Sequence, residues 1–189
     1  MKVVAESAFD PRAVLSAFQR AEAVFVVIGG LARVIRGADE VTDGVDICPS
    51  LHDANRDRAQ AALDELGAKI VRGRRRGAGD AAGQQPVLEY NTLAGPVKVV
   101  ATPSGVPRGY AALRPGSTIE NLGGGLRPSV AATADLITMA AARGRPEDRA
   151  LVPQLQRILQ LEASPARIVE PPAPGVETPE PALEPGREL

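Results

Sequence analysis

Asp43 and Asp46, together with Thr42 and the glycines at 29 and 30, are the residues whose types and spacing point to chemistry. Transfer of a phosphoryl or nucleotidyl group needs a cation, usually Mg²⁺, held by carboxylates so that it neutralises charge on the phosphates. Carboxylates at positions i and i+2 of one strand point the same way and can share that ion. In Thr42-Asp-Gly-Val-Asp-Ile47 the i+2 position is Asp46, but the i position is Gly44. Asp43 is one residue off and faces away from Asp46 unless the strand bulges there. Upstream, Ile28-Gly29-Gly30 places two glycines where a strand gives way to a helix. Such a turn lets the backbone approach a phosphate, and the helix that follows aims N–H groups at the anion. A Gly-Gly pair alone is more often a plain tight turn. The acidic strand that follows it gives the segment the layout of a phosphate cradle beside a metal site.

These residues need elements to position them. Asp10-Pro11 reads as an N-cap with proline at the first helical position, and Val14, Leu15, Phe18 and Ala21 recur at helical spacing over 11–22. Val24 to Ile28 is an unbroken apolar run, the pattern of a buried strand. Leu31 to Ile35 fit a short helix closed by Gly37, and Val45 to Cys48 a short strand ended by Pro49. Residues 52–66 predict a helix with Ala59, Ala62, Leu63 and Leu66 inward and Gly67 as its stop. Lys69 to Val71 predict a strand. Val87–Tyr90 and Val97–Ala101 predict a hairpin turning at Ala94-Gly95. A Gly/Pro-rich passage over 105–128 follows. Ser129 then reads as the cap of a helix running to Arg143, and Pro146 as the start of another running to Glu162.

With 189 residues the chain predicts one domain, residues 1–162, and an appended tail, residues 163–189. The tail holds seven prolines between Pro165 and Pro185 and few apolar groups, so it is expected to be disordered. Aromatic residues are only 3% of the chain, so the core must be aliphatic. A net charge of −1 gives no general pull toward nucleic acid or membranes. The single cysteine, Cys48, excludes an internal disulfide framework and a cysteine-cluster zinc site. No stretch approaches the roughly 18 apolar residues of a membrane span, so no membrane partner is expected and the expected location is the cytoplasm. High Ala, Arg, Gly and Pro with little Lys points to a GC-rich bacterial genome.

Three blocks in order carry a resemblance: Ile28-Gly-Gly-x-Ala with Gly37; Thr42-x-x-Val-Asp-Ile-Cys-Pro49 with Asn55 and Arg58; and Asp135-Leu-Ile-Thr-Met139 with Gly144-Arg-Pro-Glu-Asp148. Over residues 10–160 the chain resembles the bacterial nucleotidyltransferases of the abortive-infection and toxin–antitoxin type. The resemblance implies an α/β (α+β) fold, a small mixed sheet with flanking helices and a C-terminal helical pair. It implies Mg²⁺ and an NTP substrate, a tRNA or protein acceptor, and a cognate antitoxin. Carried over residue by residue, it implies Asp46, joined by Asp43, as catalytic and metal-binding residues. Gly29, Gly30, Thr42, Lys98 and Arg145 would meet the nucleotide.

The resemblance also marks three departures. The first carboxylate of its acidic pair falls on Gly44, a third carboxylate on Lys98, and a lysine of the C-terminal helix on Ala140. A lysine where a cation should bind costs roughly 4 kcal/mol of repulsion per unit charge at about 4 Å and an effective dielectric near 20. Asp43 or Asp39 moving in could repair one loss, but three losses point to impaired or altered catalysis, a pseudoenzyme. Alternatively, Lys98 pairs with Asp46 and neutralises a phosphate itself, giving a metal-free anion site in a nucleotide- or partner-binding module. An active Mg²⁺-dependent transferase is the remaining reading. Elsewhere, Arg72, Arg74, Arg75 and Arg76 in a Gly-rich loop read as a solvated run ahead of an RNA contact. His52 reads as a surface residue, and Cys48 as a small buried apolar one.

Overall fold

A computed structural model of the chain describes residues 9–71 and 87–164. In chain order the elements are α1 (Pro11–Arg20), β1 (Phe25–Ile28), α2 (Gly29–Ile35), β2 (Val45–Pro49), α3 (Asp53–Glu65), β3 (Lys69–Ile70) and β4 (Leu88–Thr92). There follow β5 (Gly95–Val99), α4 (Tyr110–Leu113), β6 (Thr118–Ile119), β7 (Ser129–Val130), α5 (Thr133–Arg143) and α6 (Pro146–Ala163). The arginine loop at 72–76 and the tail beyond Ser164 lie outside the described residues.

The strands form one mixed sheet in the order β3-β4-β5-β2-β1-β7-β6. β1 runs parallel to β7, and β2 parallel to β5, while the other pairs are antiparallel. This is the expected small mixed sheet with flanking helices. The centre of the sheet is aliphatic and closed to solvent at Val26, Val27, Val45, Ile47, Val97 and Val130. Because β1 is covered along its whole length, it reads as an unbroken apolar run rather than an alternating one.

The helix α1 begins as its sequence predicts. Asp10 accepts a hydrogen bond from the Ala13 amide at 3.0 Å, and Pro11 takes the first turn, where no N–H is missed. Its buried face is Val14, Leu15, Ala17 and Phe18. The Phe18 ring meets Phe25 of β1 edge-on at 5.3 Å, an arrangement that adds about 0.5–1.5 kcal/mol to the area it buries. Asn55, 5% exposed, ties α3 to the sheet. It accepts from the Val24 amide at 2.6 Å and donates to the Val24 and Ser50 carbonyls at 2.9 and 2.8 Å.

Two readings change. Ser129 does not cap a helix: Ser129–Val130 is β7, and α5 starts at Thr133 with Ala132 as its cap. Val130 pairs with Val27, and Val130 and Ala131 are fully buried, so burial beside β1 outweighs the capping preference of serine. The hydroxyl of Ser129 donates instead to that of Ser117 at 2.8 Å. The Gly/Pro-rich passage also holds structure, namely α4 and β6. Its glycine turn is held by Arg12, which donates to the Leu122 and Gly123 carbonyls, and by Gln19, which donates to that of Gly125.

The C-terminal helices pack on each other, and the turn between them forms as the Gly144-Arg-Pro-x-Asp148 pattern requires. Gly144 is left-handed at φ 63° and ends α5, and Pro146 opens α6. Among the described residues, no helix is long and apolar enough to cross a membrane.

Candidate functional site

The acidic strand and the C-terminal helices enclose a cleft of about 520 Å³. Its walls come from the start of α2, the 40–44 segment, β2, β4, β5 and the α5–α6 junction. Gly30, Thr42, Asp43, Asp46, Lys98 and Arg145 all line it, so the fold brings together almost every residue singled out for the nucleotide and the metal. Asp43 lies before β2, where strand alternation does not apply, and it shares the cleft with Asp46 without a bulge.

Gly29 and Gly30 are the first two residues of α2 rather than a separate turn. Gly29 has φ +68°, and a Cβ there would sit 2.1 Å from Oδ2 of Asp46. A Cβ on Gly30 would sit 2.7 Å from Oγ1 of Thr42. The two glycines let the acidic strand close directly onto the helix start. Thr42 in turn donates its hydroxyl to the Gly44 carbonyl at 3.1 Å, which shapes the entry into β2.

A row of charge crosses three strands. Glu89 of β4 stands opposite Lys98 of β5, which stands opposite Asp46 of β2. Lys98 does not pair with Asp46. Its partner is Glu89, at 4.0 Å, with both side chains about half exposed. The expected Lys98–Asp46 bridge is thus corrected, because the antiparallel β4–β5 ladder offers a second carboxylate on the other side. Burial pushes the Asp46 carboxyl above its ordinary pKa, while Lys98, Arg143 and Arg33 pull it down and Glu89 adds to the rise.

Two further ion pairs escaped the sequence reading. Arg33 donates to both oxygens of Glu40 at 3.0 and 3.1 Å. Arg143 donates to both oxygens of Asp148 at 3.2 and 2.6 Å, with Asp148 almost fully buried. The available signal was Asp148 itself, an acid in the first turn of α6, across the Gly144-Arg145 turn from the last cation of α5. Arg145 makes only a loose, exposed pair with Glu147 at 3.9 Å. Arg33 and Arg143 are therefore tied down by two-pronged bonds, whereas Lys98 and Arg145 are free to turn toward a ligand. Ala140 is 1% exposed and does not line the cleft. Arg143, one turn on, is the cation α5 presents.

Mg²⁺ is the ion such a fold implies, and the residues present do not fit it. Gly44 supplies no ligand, Lys98 stands where a second strand should add one, and three cations act on Asp46. Among the described residues no three His, Cys, Asp or Glu side chains group in a way that could hold a metal. His52 is exposed at the N-cap of α3, and Cys48 is buried with its thiol pushed up to about 12, so neither adds a donor.

No protein-family model matches the sequence, and no curated protein matches it. Solved structures do. The chain is similar to a candidate nucleotidyltransferase from Thermotoga maritima, TM1012, with a TM-score of 0.51 at 12% identity, over 77% of this chain and 89% of that one. A solution structure of the antibiotic-resistance factor ANT(2'')-Ia overlays with a TM-score of 0.45 at 13% identity, over 79% and 91% of the two chains. The chain has a nucleotidyltransferase fold.

Proposed function

We propose that this chain is a nucleotidyltransferase-fold protein with an altered centre, a pseudoenzyme that binds a nucleotide without a metal ion. The Glu89–Lys98–Asp46 row supports the reading: it sets a lysine, in place of a carboxylate, beside Asp46. Lys98 and Arg145 would take phosphate oxygens. Asp43 and Asp46, which form no ion pair among the described residues, would accept from hydroxyl or amino groups of the sugar and base. Carboxylates outnumber cations around the cleft, so it suits a nucleotide with few phosphates better than a bare triphosphate.

The relation to toxin–antitoxin nucleotidyltransferases rests on the three sequence blocks, and with it the expectation of a cognate antitoxin. A second reading is an active Mg²⁺-dependent transferase from an NTP to tRNA or protein. It is favoured by Asp43 and Asp46 sharing one cleft.

Calorimetry with AMP and ATP, in Mg²⁺ and in EDTA, separates the two. The module reading expects binding that EDTA leaves intact and Lys98→Ala weakens. Label transfer from radiolabelled NTP to tRNA or protein, lost in Asp46→Ala, would overturn it.

A further inference from the structure

A second cleft lies at the opposite end of the central strands, and its charge is of the other kind. β2 meets the first cleft at Asp46, the register partner of Ile28, and the other ends of β1 and β2 meet the second cleft at Val24 and Ser50. The second cleft encloses about 830 Å³. Arg58 of α3, Arg108 of the loop before α4 and Arg114 at the end of α4 line it, with His52 beside them. No carboxylate lines it among the described residues. Arg58 donates to the Glu22 backbone carbonyl at 3.3 Å, which leaves its charge uncompensated. The guanidinium groups of Arg108 and Arg114 make no hydrogen bond or ion pair among the described residues.

This contrasts with the first cleft. The chain carries a net charge of −1, and every cation of the first cleft faces a carboxylate. Three guanidinium groups left without acids around one trough therefore represent a separation of charge that folding alone does not call for. Guanidinium forks match phosphate oxygens in geometry as well as charge. Between the arginines the trough is floored by small and apolar groups, and Tyr110 offers a ring. Aromatic rings take stacked bases without regard to sequence.

We propose that this cleft binds a phosphodiester strand, single-stranded RNA, through its backbone. The three arginines come from three separate elements along the trough, a spread that suits successive phosphates rather than one. The proposal is independent of the nucleotide reading of the first cleft.

The test is fluorescence anisotropy of the full chain with a labelled mixed-sequence RNA of about 12 nucleotides, a length within the range such grooves span. Binding should weaken with salt, and the double variant Arg108→Gln, Arg114→Gln should lose about tenfold or more in affinity. Its plot of log K against log salt should flatten by about 1.4, at about 0.7 for each single-strand phosphate contact. Arg157→Gln, at an exposed arginine that lines neither cleft, should change neither quantity. Both arginines are exposed, and a melting curve checks that the variant folds. No binding at low salt, or a wild-type slope near zero, overturns the proposal. So does a folded double variant with wild-type affinity and slope. Displacement of the RNA by inorganic phosphate or AMP as readily as by unlabelled RNA also overturns it, since it would reveal a single-phosphate pocket.

Discussion

The Asp46 carboxylate lies against the backbone of Gly29, so close that a Cβ at 29 would stand 2.1 Å from Oδ2 and 2.9 Å from Cβ of Asp46. Residue 29 also has φ +68°, which L side chains rarely adopt. Gly29→Ala should therefore cost more than the 1–3 kcal/mol typical of a strained backbone position. Urea denaturation of Gly29→Ala, alone and with Asp46→Gly, separates the two contributions. The double variant should recover the part owed to the clash and keep the part owed to φ. Full wild-type stability in Gly29→Ala would show that the strand is not held against the helix start.

Asp46 should make the stability of this protein depend on pH with a definite sign. Burial raises its folded pKa, so its unfolded form gives up the proton first. The favourable contribution is complete below the unfolded value near 3.9 and is lost as pH rises through the folded value. At pH 7 the buried charge is a net cost. Asp46→Asn should raise the melting temperature at pH 7, and the gain should shrink as pH falls toward 3.9. Equal melting temperatures at pH 7 would mean that Lys98, Arg33 and Arg143 fully offset the burial.

The elements legible in the sequence were those whose burial pattern is local. α1 shows its cap, its proline and its apolar stripe, and β1 its unbroken run. β7 was not legible, because two residues carry no period. Their strand character comes from Val27, about a hundred residues away in sequence. In the site, Asp46 and Gly29 were legible as types in order. What each touches was not, because Glu89 captures Lys98 across a hairpin and Arg143 is set by the turn at Gly144. Asn55 was noted as part of a motif, but its work as a clamp on Val24 and Ser50 needs three segments in place at once.

The Arg143–Asp148 pair should respond unequally to the loss of its two members. The Asp148 side chain is 3% exposed and that of Arg143 is 26% exposed. Arg143→Ala leaves a buried carboxylate unpaired, a situation that costs about 3–5 kcal/mol. Asp148→Ala leaves a guanidinium that can turn to solvent and should cost less. The double variant should be more stable than Arg143→Ala alone. Denaturation of the three variants measures this. A double variant less stable than either single would show that the pair does not act as a unit.

The metal-free reading makes Lys98 and Gly44 the residues that keep a cation out, and restoring carboxylates tests this directly. Gly44 has space for a side chain if Pro96 gives by a few tenths of an ångström, since a Cβ there would stand 3.1 Å from the Pro96 carbonyl. Lys98→Asp removes only a half-exposed pair, which contributes about 0–1 kcal/mol. Both changes should leave the fold intact. Calorimetric titration with Mn²⁺ should show no saturable site in the wild type and little in Gly44→Asp, where Lys98 still faces Asp46. The double variant Gly44→Asp, Lys98→Asp should gain one. Arg33 and Arg143, held by Glu40 and Asp148, remain as the positive background it must overcome. Stoichiometric Mn²⁺ binding by the wild type, lost on Asp43→Ala or Asp46→Ala, would show that these two carboxylates suffice and would return the chain to the metal-dependent enzymes.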